Sequence, residues 1–509
     1  MSEPAVGGHP GGEPVVRTTS GTLRGEWDNG VAGFRGVPYA APPTGALRLA
    51  APARARPWDG TRPAVEWGPP PPQSGPLGAS DASDRDDWLT LNVWTTEPAP
   101  GADLPVLVWF PGGGYVMGDA ALPEYDGSEL ALGGIVVVTV NHRVGIEGFG
   151  YLDGAPANRG LLDQVAALEW LHDNVMAFGG DPDRTTIGGQ SAGGGSVAAM
   201  LAMPRAAGLF RRAIAQSVPG TYFSPELATD ITAACAAELG VPSDAAGFAT
   251  AEPALLPVAA DAVSEATAHR RGRWGAVTHR PIPIAPVVDG DVLPTTPWRA
   301  LSTGAARDID LLVGHTRDEH RLFSLVDGTL GHVTPEQTET ALRMLAPGPD
   351  GPRRYRQTFP MATDEELYEL VNGDWLFRMP SLHLAEAQST GGGQVHLYEL
   401  TWPAPGLGGG LGACHGLDVP LVFGTLGRGQ PGALVGDPPP EAATALSRVM
   451  RSAWTAFVAH GEPGWASFDP ERRLTRILDE EPAVAPYPEE RSRLLWRHHT
   501  FGPLPLLPA

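Results

Sequence analysis

The stretch Thr185-Thr186-Ile187-Gly188-Gly189-Gln190-Ser191-Ala192-Gly193-Gly194-Gly195-Ser196-Val197 decides how the rest of the chain is read. A short β-branched run feeds a Gly-x-Ser-x-Gly turn, and Val197-Ala198-Ala199-Met200-Leu201-Ala202 reads as the opening of a buried helix. A sharp strand-to-helix turn of this kind, a nucleophile elbow, holds a serine hydroxyl out at the top of a sheet. Glycine at 189 and 193 suits it, because a Cβ at either place would collide with strand or helix as the chain reverses. Five residues carry little weight in a chain with 65 glycines. The reading therefore turns on whether other segments supply a base, an acid and donors for a developing negative charge.

Outward from this turn, strand and helix patterns alternate. Residues 106–110 (Val-Leu-Val-Trp-Phe) and 135–140 are continuously apolar, as strands covered on both faces should be. Residues 161–177 form a helix with Leu161, Val165, Leu168, Leu171 and Val175 on one stripe. Residues 213–216 add another strand after the elbow helix, so the βαβα pattern from 106 to 216 calls for an α/β fold with a mostly parallel sheet and helices on both faces. Residues 89–94, 309–313 and 395–400 read as further strands, and 441–460 as a C-terminal helix. Residues 15–18 and 21–25 alternate like a small hairpin at an antiparallel edge. Residues 34–45, 69–72 and 75–87 read as surface loops rich in proline or glycine. Residues 222–280 and 320–390 read as helices inserted between core strands, the place of a cap lining the approach to the site.

Composition narrows the function classes. A length of 509 residues alone suggests about three domains. With 36 basic against 58 acidic residues, the net charge of −22 would repel nucleic acid and anionic membrane surfaces. All the basic residues are arginine, which excludes a Schiff-base lysine, a P-loop lysine and a Ser-Lys dyad. Cys235 and Cys414 alone make no disulfide framework, so a reducing, cytoplasmic setting is expected. Residues 1–14 read as a disordered tail with no signal peptide, and the longest apolar run, 134–140, is far below the roughly 20 residues of a membrane span. There is no H-E-x-x-H and no cysteine pair at zinc spacing, so no metal and no cofactor is expected. The expected state is a monomer or a weak homo-oligomer.

Directly after residues 106–110 comes Pro111-Gly112-Gly113-Gly114-Tyr115. A glycine triplet lets backbone N–H groups face a developing oxyanion, and its position after this strand matches where such donors sit relative to an elbow. Gly113, Gly114 and Ala192 are the expected donors. An elbow serine is followed in sequence by its acid and then its base. Glu319 lies just past a buried strand, with Asp318, Asp289 and Asp291 as competitors. Eight histidines follow it: 320, 332, 383, 396, 415, 460, 498 and 499. His415, in Gly412-Ala413-Cys414-His415-Gly416-Leu417-Asp418, is the best placed, in a loop after a strand with glycine beside it. Cys414 reads as a small apolar filler.

Taken together these residues resemble the type B carboxylesterases, a family that includes para-nitrobenzyl esterases and cholinesterases. The resemblance rests on Phe-x-Gly-x-Pro-Tyr-Ala-x-Pro-Pro-x-Gly at 34–45, Asp86-Asp87-Trp88-Leu89 with Leu91-Asn92-Val93, and Gly112-Gly113-Gly114. It continues through Asn141-His142-Arg143-Val144-Gly145, Asn-x-Gly-Leu-x-Asp-Gln at 158–164, Phe178-Gly179-Gly180-Asp181-Pro182 and the elbow. Gly208-Leu209-Phe210, Asp318-Glu319, His415-Gly416-x-Asp418 and Trp454-x-x-Phe457 complete it. It implies one α/β-hydrolase domain over residues 15–509, with Ser191 as nucleophile, Glu319 as acid, His415 as base, and Gly113, Gly114 and Ala192 as the oxyanion hole. Pro111, Trp88, His142 and His320 depart from the family pattern. The implied activity is hydrolysis of a small-molecule carboxylic ester through an acyl-enzyme. Carbamate, lactone or amide cleavage, acyl transfer, and a non-catalytic binding protein on the same fold are the alternatives.

Overall fold

Seven parallel strands form the centre of an eleven-stranded sheet in the computed structural model, which describes residues 12–74, 86–279 and 283–508. Across the sheet the order is Ala483–Pro486, Leu474–Leu478, Val395–Leu400, Asp310–Thr316, Arg212–Gln216, Gly180–Gln190, Leu104–Phe110, Val136–Val140, Thr90–Thr95, Val31–Pro38 and Glu26–Asp28. Antiparallel strands close both margins. After Leu104–Phe110 the chain adds Val136–Val140 on one side and then crosses to add Gly180–Gln190 on the other. Such a reversal leaves a crevice at the carboxyl ends of the strands, where sites of open α/β sheets gather. The glycine triplet and the elbow leave the sheet at this one point.

Side chains of Leu104–Phe110 show why the run is apolar throughout. Val106, Val108 and Phe110 pack into the core that contains Leu161, Val165 and Val197, whereas Leu107 and Trp109 pack into the one with Met450, Trp454 and Phe457. Successive residues of a strand point to opposite faces, and here both faces are covered. Helix Arg159–Asn174 buries the expected stripe, and Val175 opens a tighter turn that ends at Gly179 in the left-handed region. Helix Glu441–His460 has the expected bounds and ends at Gly461, φ 80°. The Asn141 to Gly145 motif and the one at 158–164 meet in a fully buried pair. Arg143 donates to both carboxylate oxygens of Asp163, at 2.8 and 2.7 Å, and removing either partner would cost about 3–5 kcal/mol.

Some expectations need correction. Residues 34–45 are not wholly a surface loop. Val31–Pro38 is a sheet strand with Phe34 and Val37 fully buried, and a bulge between those two residues carries Arg35 and Gly36. Pairing runs through Pro38, opposite Thr90, at a strand end where a missing N–H is tolerated. The hairpin pairs as expected, Val15 opposite Arg24, but it belongs to a separate three-stranded sheet with Thr61–Pro63. Strands Leu474–Leu478 and Ala483–Pro486 had no sequence expectation. Residues 1–11 of the tail and 75–85 of the third loop lie outside the described residues.

Between Arg212–Gln216 and Asp310–Thr316 lie helices Pro225–Leu239, Ala245–Thr250 and Leu255–Glu265. Between Asp310–Thr316 and Val395–Leu400 lie Arg321–Val326, Pro335–Leu345, Gly351–Thr358, Asp364–Gly373 and Met379–Thr390. The last two are joined by a π-helical turn, Asp374–Arg378. Among the described residues, no helix is long and apolar enough to cross a membrane.

Candidate active site

Ser191 sits between strand Gly180–Gln190 and helix Ala192–Met200 with φ 58° and ψ −126°, a region that costs a residue with a Cβ about 1–3 kcal/mol. The surroundings hold it there. Its N–H donates to the Gln216 carbonyl at 2.9 Å, and its own carbonyl accepts from Gly195 N–H at 2.8 Å. A Cβ on Gly189 would lie 2.5 Å from the Gly193 carbonyl carbon, and one on Gly193 would run into the Phe110 carbonyl oxygen. Both glycines are therefore required by close backbone approach, as the Gly-x-Ser-x-Gly pattern suggests.

The glycine triplet crosses the same point. A Cβ on Gly112 would stand 3.2 Å from the Ser191 Cβ, which puts this loop against the nucleophile candidate. Gly113 and Gly114 have φ of 127° and 62°, and the Gly113 carbonyl turns back to accept from Val116 and Met117 N–H, both at 3.1 Å. Gly112 N–H donates to the Tyr125 hydroxyl at 3.4 Å. Among the described residues, the N–H groups of Gly113 and Gly114 meet no protein acceptor. Ala192 N–H is in the first turn of its helix, where donors are free and the helix dipole favours negative charge. Pro111 precedes these donors and removes none of them.

Glu319 and His415 come together from segments 96 residues apart. Glu319 Oε2 and His415 Nδ1 are 2.5 Å apart, and both residues are buried. The other carboxylate oxygen accepts from Ser217 Oγ at 2.6 Å and from Thr316 N–H at 3.0 Å. Burial by itself would raise the Glu319 pKa, but the adjacent His415 and the bonds from His415 and Ser217 hold it below the usual carboxylate value. With Nδ1 turned to the carboxylate, Nε2 is directed at the elbow, where it lies 3.2 Å from the side-chain amide of Gln190. Ser191 Oγ and Nε2 are not hydrogen-bonded in this arrangement. Asp318, a competitor, instead accepts from Ala413 N–H at 2.8 Å and so ties the Glu319 loop to the His415 loop.

Several contributors were not foreseen. Phe377, presented by the π-helical turn, stacks on the His415 ring at 4.2 Å, and Phe323 lies 5.1 Å away. His415 is thus held against an aromatic face and not left free beside glycine. Ser217 and Gln216 belong to no motif in the sequence, and the signal that marks them is their place at and just past the carboxyl end of the Arg212–Gln216 strand. Of the departures, His320 is buried, bonds Ser324 Oγ at 3.1 Å and meets the Tyr368 ring edge-on. Burial pushes His142 down to about 4 and the Cys414 thiol up to about 12, so neither is charged near neutrality.

A family model described as the carboxylesterase family matches residues 12–483. The para-nitrobenzyl esterase of Bacillus subtilis (strain 168) is 34% identical over 94% of this chain and 97% of its own. Phenmedipham hydrolase of Pseudarthrobacter oxydans is also 34% identical, over 92% of this chain and 96% of its own. The crystal structure of a Geobacillus stearothermophilus carboxylesterase superposes with a TM-score of 0.83 at 34% identity, covering 95% of this chain and all of that one. With an α/β-hydrolase sheet, a serine elbow at its switch point and this agreement along almost the whole chain, the protein belongs to the carboxylesterase family and is a serine-hydrolase carboxylesterase.

Proposed function

We propose that the chain hydrolyses small-molecule carboxylic esters through an acyl-enzyme on Ser191, with His415 as base, Glu319 as acid, and Gly113, Gly114 and Ala192 as oxyanion donors. The observation that supports this most is the short Glu319–His415 contact, whose imidazole turns its second nitrogen to the elbow beside unengaged backbone donors. In the reaction Nε2 exchanges the Gln190 amide for Ser191 Oγ and takes its proton. The oxygen attacks the carbonyl carbon, and the N–H groups receive the negative charge. The imidazolium then protonates the departing alcohol. A water molecule, deprotonated by the same nitrogen, releases the acid and restores Ser191. Glu319 keeps the proton on Nδ1 and stabilises the imidazolium. Residues 15–509 act as one hydrolase domain, with 222–280 and 320–390 lining the approach. Phe323 and Phe377 at the His415 ring support that placing.

A fluorophosphonate probe should label the parental protein at one serine, and Ser191→Ala should abolish labelling. The same substitution should lower kcat on para-nitrophenyl acetate by about 10⁶-fold. Parental turnover by Ser191→Ala would refute the assignment.

A further inference from the structure

Gln216 is the last residue of its strand and is fully buried, and it touches both sides of the site through different atoms. Its carbonyl accepts the Ser191 N–H at 2.9 Å. Its side-chain Oε1 accepts from Trp454 Nε1 at 2.8 Å, and its Nε2 donates to Asp418 Oδ2 at 2.7 Å. An indole N–H can only donate, so Trp454 sets which way the amide points and leaves its NH₂ for the carboxylate. Tyr398 donates to the same Asp418 oxygen at 2.9 Å. Asp418 is fully buried, opens helix Asp418–Phe423 and stands three residues after His415. The next residue, Ser217, donates to Glu319. Gln216 and the residue after it are therefore bonded to Ser191 and Glu319 directly and to the His415 loop through Asp418.

We propose that Gln216 is a positioning residue of this site: its main chain seats Ser191, and its side chain, through Asp418, fixes the loop that carries His415 at the matching height. This rests on the assignment of Ser191 and His415 above. The Glu319 contact orients the imidazole about one ring nitrogen, and Asp318 ties the loop at Ala413 to Glu319's own segment; neither bonds the loop to the strand residue that seats Ser191, so its distance from the elbow needs a further contact. The Gln216–Asp418 link sets that distance, because both ends are buried and the amide is held from behind by the Glu441–His460 helix. A misplacement of about 1 Å between reacting groups can cost about 10²-fold in rate.

The test exchanges the partners. Gln216→Glu opposes two carboxylates across a gap that held an N–H, and should lower kcat about 100-fold at pH 8 with KM within about twofold. Fluorophosphonate labelling of Ser191 should slow in step. Gln216→Glu combined with Asp418→Asn restores an amide–carboxylate pair with the roles reversed, since a Tyr hydroxyl accepts as well as donates. This double variant should return kcat to within about tenfold of the parent. Should Gln216→Glu not fold, Gln216→Leu removes the link without adding charge and should lose about tenfold in kcat at unchanged KM. Parental kcat in Gln216→Glu or Gln216→Leu would overturn the proposal. So would a double variant that regains thermal stability while kcat stays at the single-variant level. A labelled parent with insensitive Gln216 variants refutes only this inference, whereas a parent that resists labelling refutes the serine assignment itself.

Discussion

The two halves of the site are built by different means. The elbow and the glycine triplet are backbone devices, made from turns in which a Cβ has no room and from N–H groups whose direction follows from φ and ψ. The Glu319–His415 half is a side-chain device, assembled from loops far apart in sequence and held by buried hydrogen bonds from Ser217, Thr316, Gln216 and Tyr398. The first half has no room for a Cβ at Gly112, Gly113, Gly189 or Gly193, whereas the second has open space at Gly416, though not at Gly412, and depends on the charge and donor pattern of each partner.

That contrast can be broken most severely at Gly193. Gly193→Ala drives a methyl group into the Phe110 carbonyl and should cost about 3 kcal/mol or more, with loss of labelling and a large fall in Tm. Gly416→Ala beside His415 has open space and only its φ of 78° against it, so about 1 kcal/mol is expected. Equal losses of Tm in the two variants would erase the distinction.

On the side-chain half, Glu319→Gln keeps the shape but offers Nδ1 an amide, which favours the wrong tautomer. It should lower kcat by about 10⁴-fold on para-nitrophenyl acetate while circular dichroism stays parental. Ser217→Ala removes one donor from a buried carboxylate and should lower kcat by about tenfold at similar KM. A larger loss than Glu319→Gln would mean that Ser217 acts by some route other than Glu319.

The smallest effect expected is on stability, and its sign depends on pH. Glu319 is held below the usual carboxylate range, so its interactions stabilise the fold above that range and are lost as pH falls through its folded value. Asp418 is the opposite case. Burial, then the nearby Glu319 charge, raises it to about 6, so its contribution is full below the ordinary aspartate value and is lost as pH rises through about 6. Asp418→Asn should therefore raise Tm at pH 8 and leave it near the parental value at pH 4. A gain of the same size at both pH values would contradict this reading.

How much of this was legible beforehand follows the same divide. The parallel sheet, the elbow and the glycine triplet came from local patterns, because strand burial and tight turns constrain which residues can occupy them. Residues 34–38 were misread because proline and glycine dominated the window, while the burial of Phe34 and Val37 depends on Thr90–Thr95 alongside. Glu319 could not be separated from Asp318 by position, since both follow the same strand.

Sequence by itself determined the α/β alternation, the serine at the strand-to-helix turn and the glycines that turn requires, because steric exclusion acts between near neighbours. Chain position does not separate Glu319 from Asp318, although the resemblance implies Glu319; only the tertiary structure decided that Phe377 stacks on the His415 ring and that Gln216 and Ser217 join both halves. Those are contacts between segments tens to hundreds of residues apart, set by how strands and loops come to rest on one sheet.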